Sequence, residues 1–176
     1  MLRIKKNFLI LELLSINIIK TLENLNIPFN ANIKEKYIST VKIFTYFKAI
    51  KATVPYKENF ILVVDKIVNL RKKILDKTFN KNNTIKIFKN LSGRRHNVFI
   101  GLTLIAENYK AHYSSSRIMI FFKNLEEKEI LKYISKVEWR GCTGCHAIQG
   151  YAQAFIKYSM NPHKILSAHL CIKLIT

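Results

Sequence analysis

The chain is predicted to fold as an α/β domain around a mixed sheet, and three observations carry that expectation. Apolar runs of strand length recur at residues 60–64, 98–106 and 116–123. Segments with apolar residues at helical spacing alternate with them. Polar or glycine-bearing breaks separate the two kinds of segment.

Taken in order, Leu13, Leu14, Ile16, Ile18 and Ile19 suit a short helix that runs into an Asn-rich stretch ending at Pro28. A second helix is expected over 34–52. Pro55 and the polar residues 56–59 form a turn before the run 60–64, which reads as a strand buried on both faces and closed by Asp65. Residues 81–91 form a helix capped by Asn80, with Ile85, Phe88 and Leu91 on one stripe, and Ser92-Gly93 stops it. The strands 98–106 and 116–123 follow, joined as a hairpin through Asn108. The clearest helix spans 126–137, with Ile130, Leu131, Tyr133 and Ile134 inward. A glycine-containing segment (141–150), an apolar piece to Tyr158 and a last element over 166–175 complete the chain.

Composition sets the outer limits. With 49% apolar residues among 176, the chain has the makings of a core, which excludes a disordered segment and suits one domain of roughly 100–200 residues. Thirty basic against eleven acidic residues leave a formal charge of +19. The basic residues are scattered, and Lys, Ile and Asn abound throughout while Asp occurs only at 65 and 76. The charge therefore supports only non-specific attraction to nucleic acid or other polyanions. Three cysteines, an odd number, argue against a disulfide framework and for a reducing compartment. Residues 1–6 and the apolar run 8–19 imitate a signal peptide, yet Glu12 interrupts the run and no small-residue cleavage site follows. Cytoplasm is the expected location, and no membrane span is expected.

Three features carry chemistry. All five glycines lie at 93, 101, 141, 144 and 150, which marks positions of positive φ, close approach, or ordinary turns. Cys142-Thr143-Gly144-Cys145-His146 fits the C-x-x-C-H haem pattern and also the start of a zinc site completed by His163 and His169. Small buried thiols are the plainer reading. Asp65 stands out most, because a carboxylate in or beside a buried strand must be paired, bind metal or move protons. A salt bridge to Lys66 or another nearby lysine is the plain alternative.

Leu91-Ser92-Gly93-Arg94-Arg95-His96-Asn97-Val98, then Phe122 to Ile130, then Glu138-Trp139-Arg140-Gly141 with His146-Ala147-Ile148-Gln149-Gly150, resemble successive blocks of the Maf family of nucleoside triphosphate pyrophosphatases. Upstream, residues 61–68 resemble the family's I-x-G-A-D-T-V-V strand and residues 74–77 its I-L-x-K. The resemblance covers about residues 44–156 and implies a Maf-like single domain over 1–176, with residues 1–43 degenerate. It further implies a central mixed, bent sheet flanked by helices, and a nucleotide cleft. The implied reaction cleaves a nucleoside triphosphate between the α and β phosphates with a divalent cation, Mg or Mn. On this mapping Asp65 matches the proton acceptor, Lys48 and Lys77 match lysines facing the triphosphate, and Gln149 matches a base-selecting glutamine of the dTTP/UTP branch. A homodimer is common in such proteins.

Departures accompany the match. Residues 5–10 stand where the family has S-x-S-P-R-R, and Lys5 and Lys6 lack the forked guanidinium that suits phosphate. The family's second acid falls near Asn26-Ile27, Lys66 replaces a threonine, and Cys142 replaces a lysine. Two further readings therefore stand beside the pyrophosphatase. One is a catalytically inactive Maf-like remnant that binds nucleotide or nucleic acid through its basic surface, and the other is a zinc-dependent module.

Overall fold

The computed structural model of the protein describes residues 8–11, 33–53, 60–105, 110–147 and 150–160. Its elements, in chain order, are β1 (Phe8–Leu11), α1 (Ile33–Thr53), β2 (Phe60–Leu70), β3 (Lys73–Leu75), α2 (Lys81–Leu91), β4 (Arg95–Ile105), β5 (Ala111–Phe122), α3 (Glu127–Ser135) and β6 (Ile156–Met160). Two 3₁₀ turns, Thr143–Cys145 and Tyr151–Phe155, lie between α3 and β6.

The strands form one open sheet in the order β1-β2-β4-β5-β6, with β3 paired to β2. β1 runs parallel to β2 and the other pairs are antiparallel, so the sheet is mixed as expected. The register slips at Phe121/Phe122, where β5 meets β6. Such a shift bends the strand that carries it.

Side-chain alternation along the strands builds three layers. Tyr37, Val41, Phe44, Thr45, Ala49 and Ala52 recur at helical spacing on α1, and all are buried. They pack on the odd-numbered residues of β2 and β4: Phe99 and Ile67 with Tyr37, Val41 and Phe44, and Ile61, Val63 and Ile105 with the two alanines. On the opposite face Val68, Val98, Ile100, Ile118, Ile120 and Phe122 meet Phe88 and Leu91 of α2 and Ile130, Tyr133 and Ile134 of α3. Each such large side chain taken out of water stabilises the fold by about 1.5–3 kcal/mol.

Local chemistry sets the helix ends. Asn80 caps α2, its side chain accepting from the Asn83 N–H at 3.1 Å, and Gly93 at φ +63° lets the chain leave it. α3 opens on a capping box in which Glu129 accepts from the Glu126 N–H at 3.0 Å. Among the described residues no helix is long and apolar enough to cross a membrane.

Several expectations need correction. The first core strand does not end at Asp65 but continues to Leu70, because Lys66 and Asn69 are accommodated within it and the apolar residues resume at Ile67. β4 and β5 begin earlier than expected, at Arg95 and Ala111, since cross-strand pairing carries polar residues that hydropathy does not flag. α3 ends at Ser135, and Leu131 points out with 43% of its surface exposed. The helix has only one sheet-facing stripe, and Ile130, Tyr133 and Ile134 fill it. The short helix expected after Glu12 and the element at 166–175 lie outside the described residues.

Candidate active site

Asp65 lies at the middle of β2, on the face that α1 covers, flanked on that face by buried Val63 and Ile67. Only 5% of the residue is exposed. An ionised carboxylate in that setting costs several kcal/mol unless its oxygens are paired. Both are engaged: Oδ2 accepts from Lys48 Nζ at 2.6 Å, and Oδ1 accepts from the Lys66 backbone N–H at 2.8 Å.

Lys48 reaches Asp65 because it sits on the sheet-facing stripe of α1, seven residues after Val41 and three after Thr45. The strand opposite makes room. Asp65 pairs with Gly101 of β4, and a Cβ at Gly101 would stand 2.8 Å from a Val41 methyl and 3.0 Å from the Val41 carbonyl oxygen. A side chain there would push α1, and Lys48 with it, away from the carboxylate. Thr103, next on that face of β4, donates to Thr45 Oγ1 at 2.7 Å and ties the helix down beside the site.

Lys77 follows β3 and is half-buried. Burial lowers its pKa most; Asp65 acts against that, the charges of Lys48 and Lys66 add to it, and Cys142 opposes it. Three of the four residues singled out from the sequence, Asp65, Lys48 and Lys77, thus share one electrostatic neighbourhood. Gln149, the fourth, lies outside the described residues. Lys66 projects to the other face of the sheet by strand alternation. The ion pair of Asp65 is with Lys48, seventeen residues upstream, a separation that sequence proximity does not suggest.

The turn over the opposite face carries the cysteines. Gly144, at φ +66°, seats Thr143–Cys145 so closely on β2 that a Cβ would lie 2.9 Å from the Val68 side chain. Cys145 is fully buried, and burial pushes its thiol up to about 11. Cys142 Sγ is 3.1 Å from the Glu138 carbonyl. Among the described residues no three His, Cys, Asp or Glu side chains gather as a metal site. His163 and His169 lie outside the described residues.

Sequence reasoning passed over His96, quoted only within its block. Its ring packs 5.1 Å from that of His146 and 4.7 Å from that of Phe122. Burial lowers the His96 pKa to about 3 and the His146 pKa to about 4, with His146 itself lowering His96 further. Among the described residues neither ring nitrogen of His96 has a hydrogen-bond partner within bonding geometry, although the Arg94 backbone acts to raise its pKa, and His146 Nδ1 lies 2.9 Å from the Gly144 carbonyl oxygen. The signal available was the apolar company of His96 on an alternating strand. Asp76, beside Lys77, was noted only as the second of two aspartates and given no role; burial raises its pKa.

A hollow of about 460 Å³ opens between α3 and the turn Tyr151–Phe155, lined by Glu129, Lys132, Lys136 and Tyr151 among others. Asp65, Lys48 and Lys77 are not among the described residues that line it, and the buried ion pair of Asp65 is the better guide to chemistry.

The sequence model of the family described as Maf-like protein matches residues 11–165. A nucleoside triphosphate pyrophosphatase of Ehrlichia ruminantium (strain Welgevonden) is 38% identical over 109 residues, 62% of this chain and 57% of the relative. A dTTP/UTP pyrophosphatase of Mesorhizobium japonicum is 33% identical over 121 residues, 69% and 58% of the two chains. One from Zymomonas mobilis is 34% identical over 108 residues, 61% and 54%. The matched region is a little over half the length of these curated relatives. With the blocks around Asp65, His96 and Trp139 falling on one sheet and its covering elements, and the family match running through nearly the whole chain, the protein belongs to the Maf-like family.

Proposed function

We propose that the protein hydrolyses nucleoside triphosphates to the monophosphate and pyrophosphate, acting on dTTP or UTP. The observation that carries this reading is the buried Asp65 carboxylate held by Lys48, with Lys77 close by. The relatives' names support it.

In the proposed reaction a water oxygen bonds to the α-phosphorus, and the bond from that phosphorus to the α–β bridging oxygen breaks. The bridging oxygen leaves on pyrophosphate. Asp65 accepts the proton of the attacking water and returns it to solvent after product release. Lys48 exchanges part of its contact with Asp65 for phosphate oxygens, which frees the carboxylate as it neutralises the substrate. Lys77 supplies a second cation; its lowered pKa marks a poorly solvated ammonium, for which a phosphate is a strong partner. Gln149 reads the base.

The residues fit a divalent cation that arrives with the substrate. Asp65 offers one hard oxygen ligand, and magnesium commonly takes one or two carboxylates with phosphate oxygens and water completing its shell. When bound, the cation neutralises charge that builds on the phosphates. Residues 1–176 act in this proposal as one domain with a degenerate N-terminal part, in the cytoplasm, as a homodimer.

The inactive remnant remains the second reading, favoured by the absence of the S-x-S-P-R-R residues and by the Lys48 ammonium already seated on Asp65. Pyrophosphate release from a panel of nucleoside triphosphates with Mg or Mn separates the two. The active reading expects release from dTTP or UTP, lost by 10³-fold or more in Asp65→Asn on the order seen for removal of a catalytic base, in protein that is still folded at the assay temperature. Equal rates in both proteins, or no release by folded protein, sink it.

A further inference from the structure

Beyond the end of α1, the same face of the sheet is left uncovered by described elements across β4, β5 and β6, and its chemistry is unlike the rest. Cross-strand register puts Arg95, Phe121 and Tyr158 in one row and Asn97, Met119 and Met160 in the next. The Phe121 and Tyr158 rings stack with centroids 4.9 Å apart at 27°. Arg95 lies 5.9 Å and 5.8 Å from those two rings, and Lys157 lies 5.8 Å from Phe121.

The pattern repeats along β5. Arg117 lies 6.0 Å from the Phe99 ring and donates to Asn97 Oδ1 at 2.9 Å, and Lys42 of α1 lies 5.1 Å from the Tyr113 ring. From Tyr113 to Phe121 this row of paired cations and rings extends about 26 Å at the rise of an antiparallel strand; Phe99 is buried beneath α1, so the open stacking part is the end at Phe121 and Tyr158. Tyr158 is 38% exposed and Met160 53%, and Arg95 and Lys157 are exposed as well. β4, β5 and β6 contain no acidic residue.

We propose that this face of β4, β5 and β6 binds single-stranded nucleic acid, its bases stacking on Phe121 and Tyr158 and its phosphates meeting Arg95, Arg117 and Lys157. Bases stack on exposed rings without sequence preference, and cations interleaved with the rings neutralise the backbone between successive bases. A duplex, its bases already stacked on one another, gains only the phosphate contacts. A second copy of the chain suits the face less well, because it carries the same +19 charge. The stacking end of the surface lies apart from the proposed active site: Arg95 is six residues from Gly101, the partner of Asp65, or about 20 Å along β4, while Arg117 is the nearest of its cations, two residues from Ser115, which pairs with Gly101.

Fluorescence anisotropy with labelled 12-mers of uridine and thymidine, and with a 12-base-pair duplex, tests this on the full chain across a salt series. Expected are tighter binding of the single strands and a negative salt slope of about 2, from about 0.7 for each of three cations. Tyr158→Ala, at an exposed position, weakens single-strand binding about tenfold or more and leaves duplex binding unchanged. Arg95→Gln lowers the salt slope by about 0.7. Asp65→Asn binds as the unaltered chain does, and Tyr158→Ala releases pyrophosphate at the unaltered rate, so that failure here and failure of the proposed hydrolysis are told apart. Equal affinity for strand and duplex, untouched by Tyr158→Ala, overturns the proposal in favour of diffuse attraction by net charge. Displacement of the strand by UTP overturns it in favour of the active site. Absence of strand binding, with a dimer in sedimentation that Tyr158→Ala dissociates, overturns it in favour of a second copy.

Discussion

At the scale of the single residue, the decisive fact is a carboxylate that a core strand does not expel. Asp65 sits among β-branched neighbours at 5% exposure, and the Lys48 ammonium bonded to it is itself 16% exposed. Removing one member of a buried pair strands the other, at a typical cost of 3–5 kcal/mol, whereas removing both restores part of the loss. Lys48→Met is therefore expected to destabilise the protein by about 3 kcal/mol at neutral pH. Urea unfolding of Lys48→Met, Asp65→Asn and the double variant measures this; additive losses would show that the two groups do not couple. The presence of Asp65 in a buried strand was legible in the run 60–64. Its partner was not, since neither pattern nor spacing says which of many lysines a helix will bring across. Lys48 entered the sequence reading only through resemblance.

Among the elements, α1 shows how a helix is positioned by what lies beneath it. Its extent was readable from sequence but its buried side was not, because exposed Tyr46, Phe47 and Ile50 interrupt the apolar pattern, whereas Asn80 and the stop at Ser92-Gly93 were readable as the ends of α2. Leu131 was misplaced because an apolar residue next to a stripe looks like part of it until the neighbouring layer is present. Gly101 connects element to site: it lets α1 settle on β4 at the distance from which Lys48 meets Asp65. Gly101→Ala should cost about 1–3 kcal/mol through overpacking against Val41. It should also lower pyrophosphate release more than the same loss of stability within α1 would. Ala49→Gly, on α1, provides the comparison in melting and in rate; equal effects of the two on rate would leave Gly101 a packing residue only.

For the whole molecule, stability is expected to depend on acid in a defined window. His96 and His146 are buried and neutral, with pKa values lowered to about 3 and about 4. The unfolded chain takes up protons on both near pH 6.5 and the folded chain does not, so stability falls as pH drops from 6.5 toward 4. The two together cost about 4 kcal/mol by pH 5, each pKa unit being worth 1.36 kcal/mol. Urea midpoints at pH 7 and pH 5 test the sign, and His96→Phe, which keeps a ring beside Phe122, should remove about half the difference. The same midpoint at both pH values would mean that the histidines are solvated. The amino-acid sequence by itself determined the alternation of strands and helices, the capped ends of α2, the odd acid at Asp65 and the blocks that carry the family. These are local in the chain, and periodicity, propensity and short motifs record them directly. Only the tertiary structure decided that Lys48 pairs with Asp65, that His96 and His146 are buried side by side, and that Arg95, Phe121 and Tyr158 lie together. Each joins residues distant in the chain, and strand register and layer packing, which set such meetings, leave no mark at any one position.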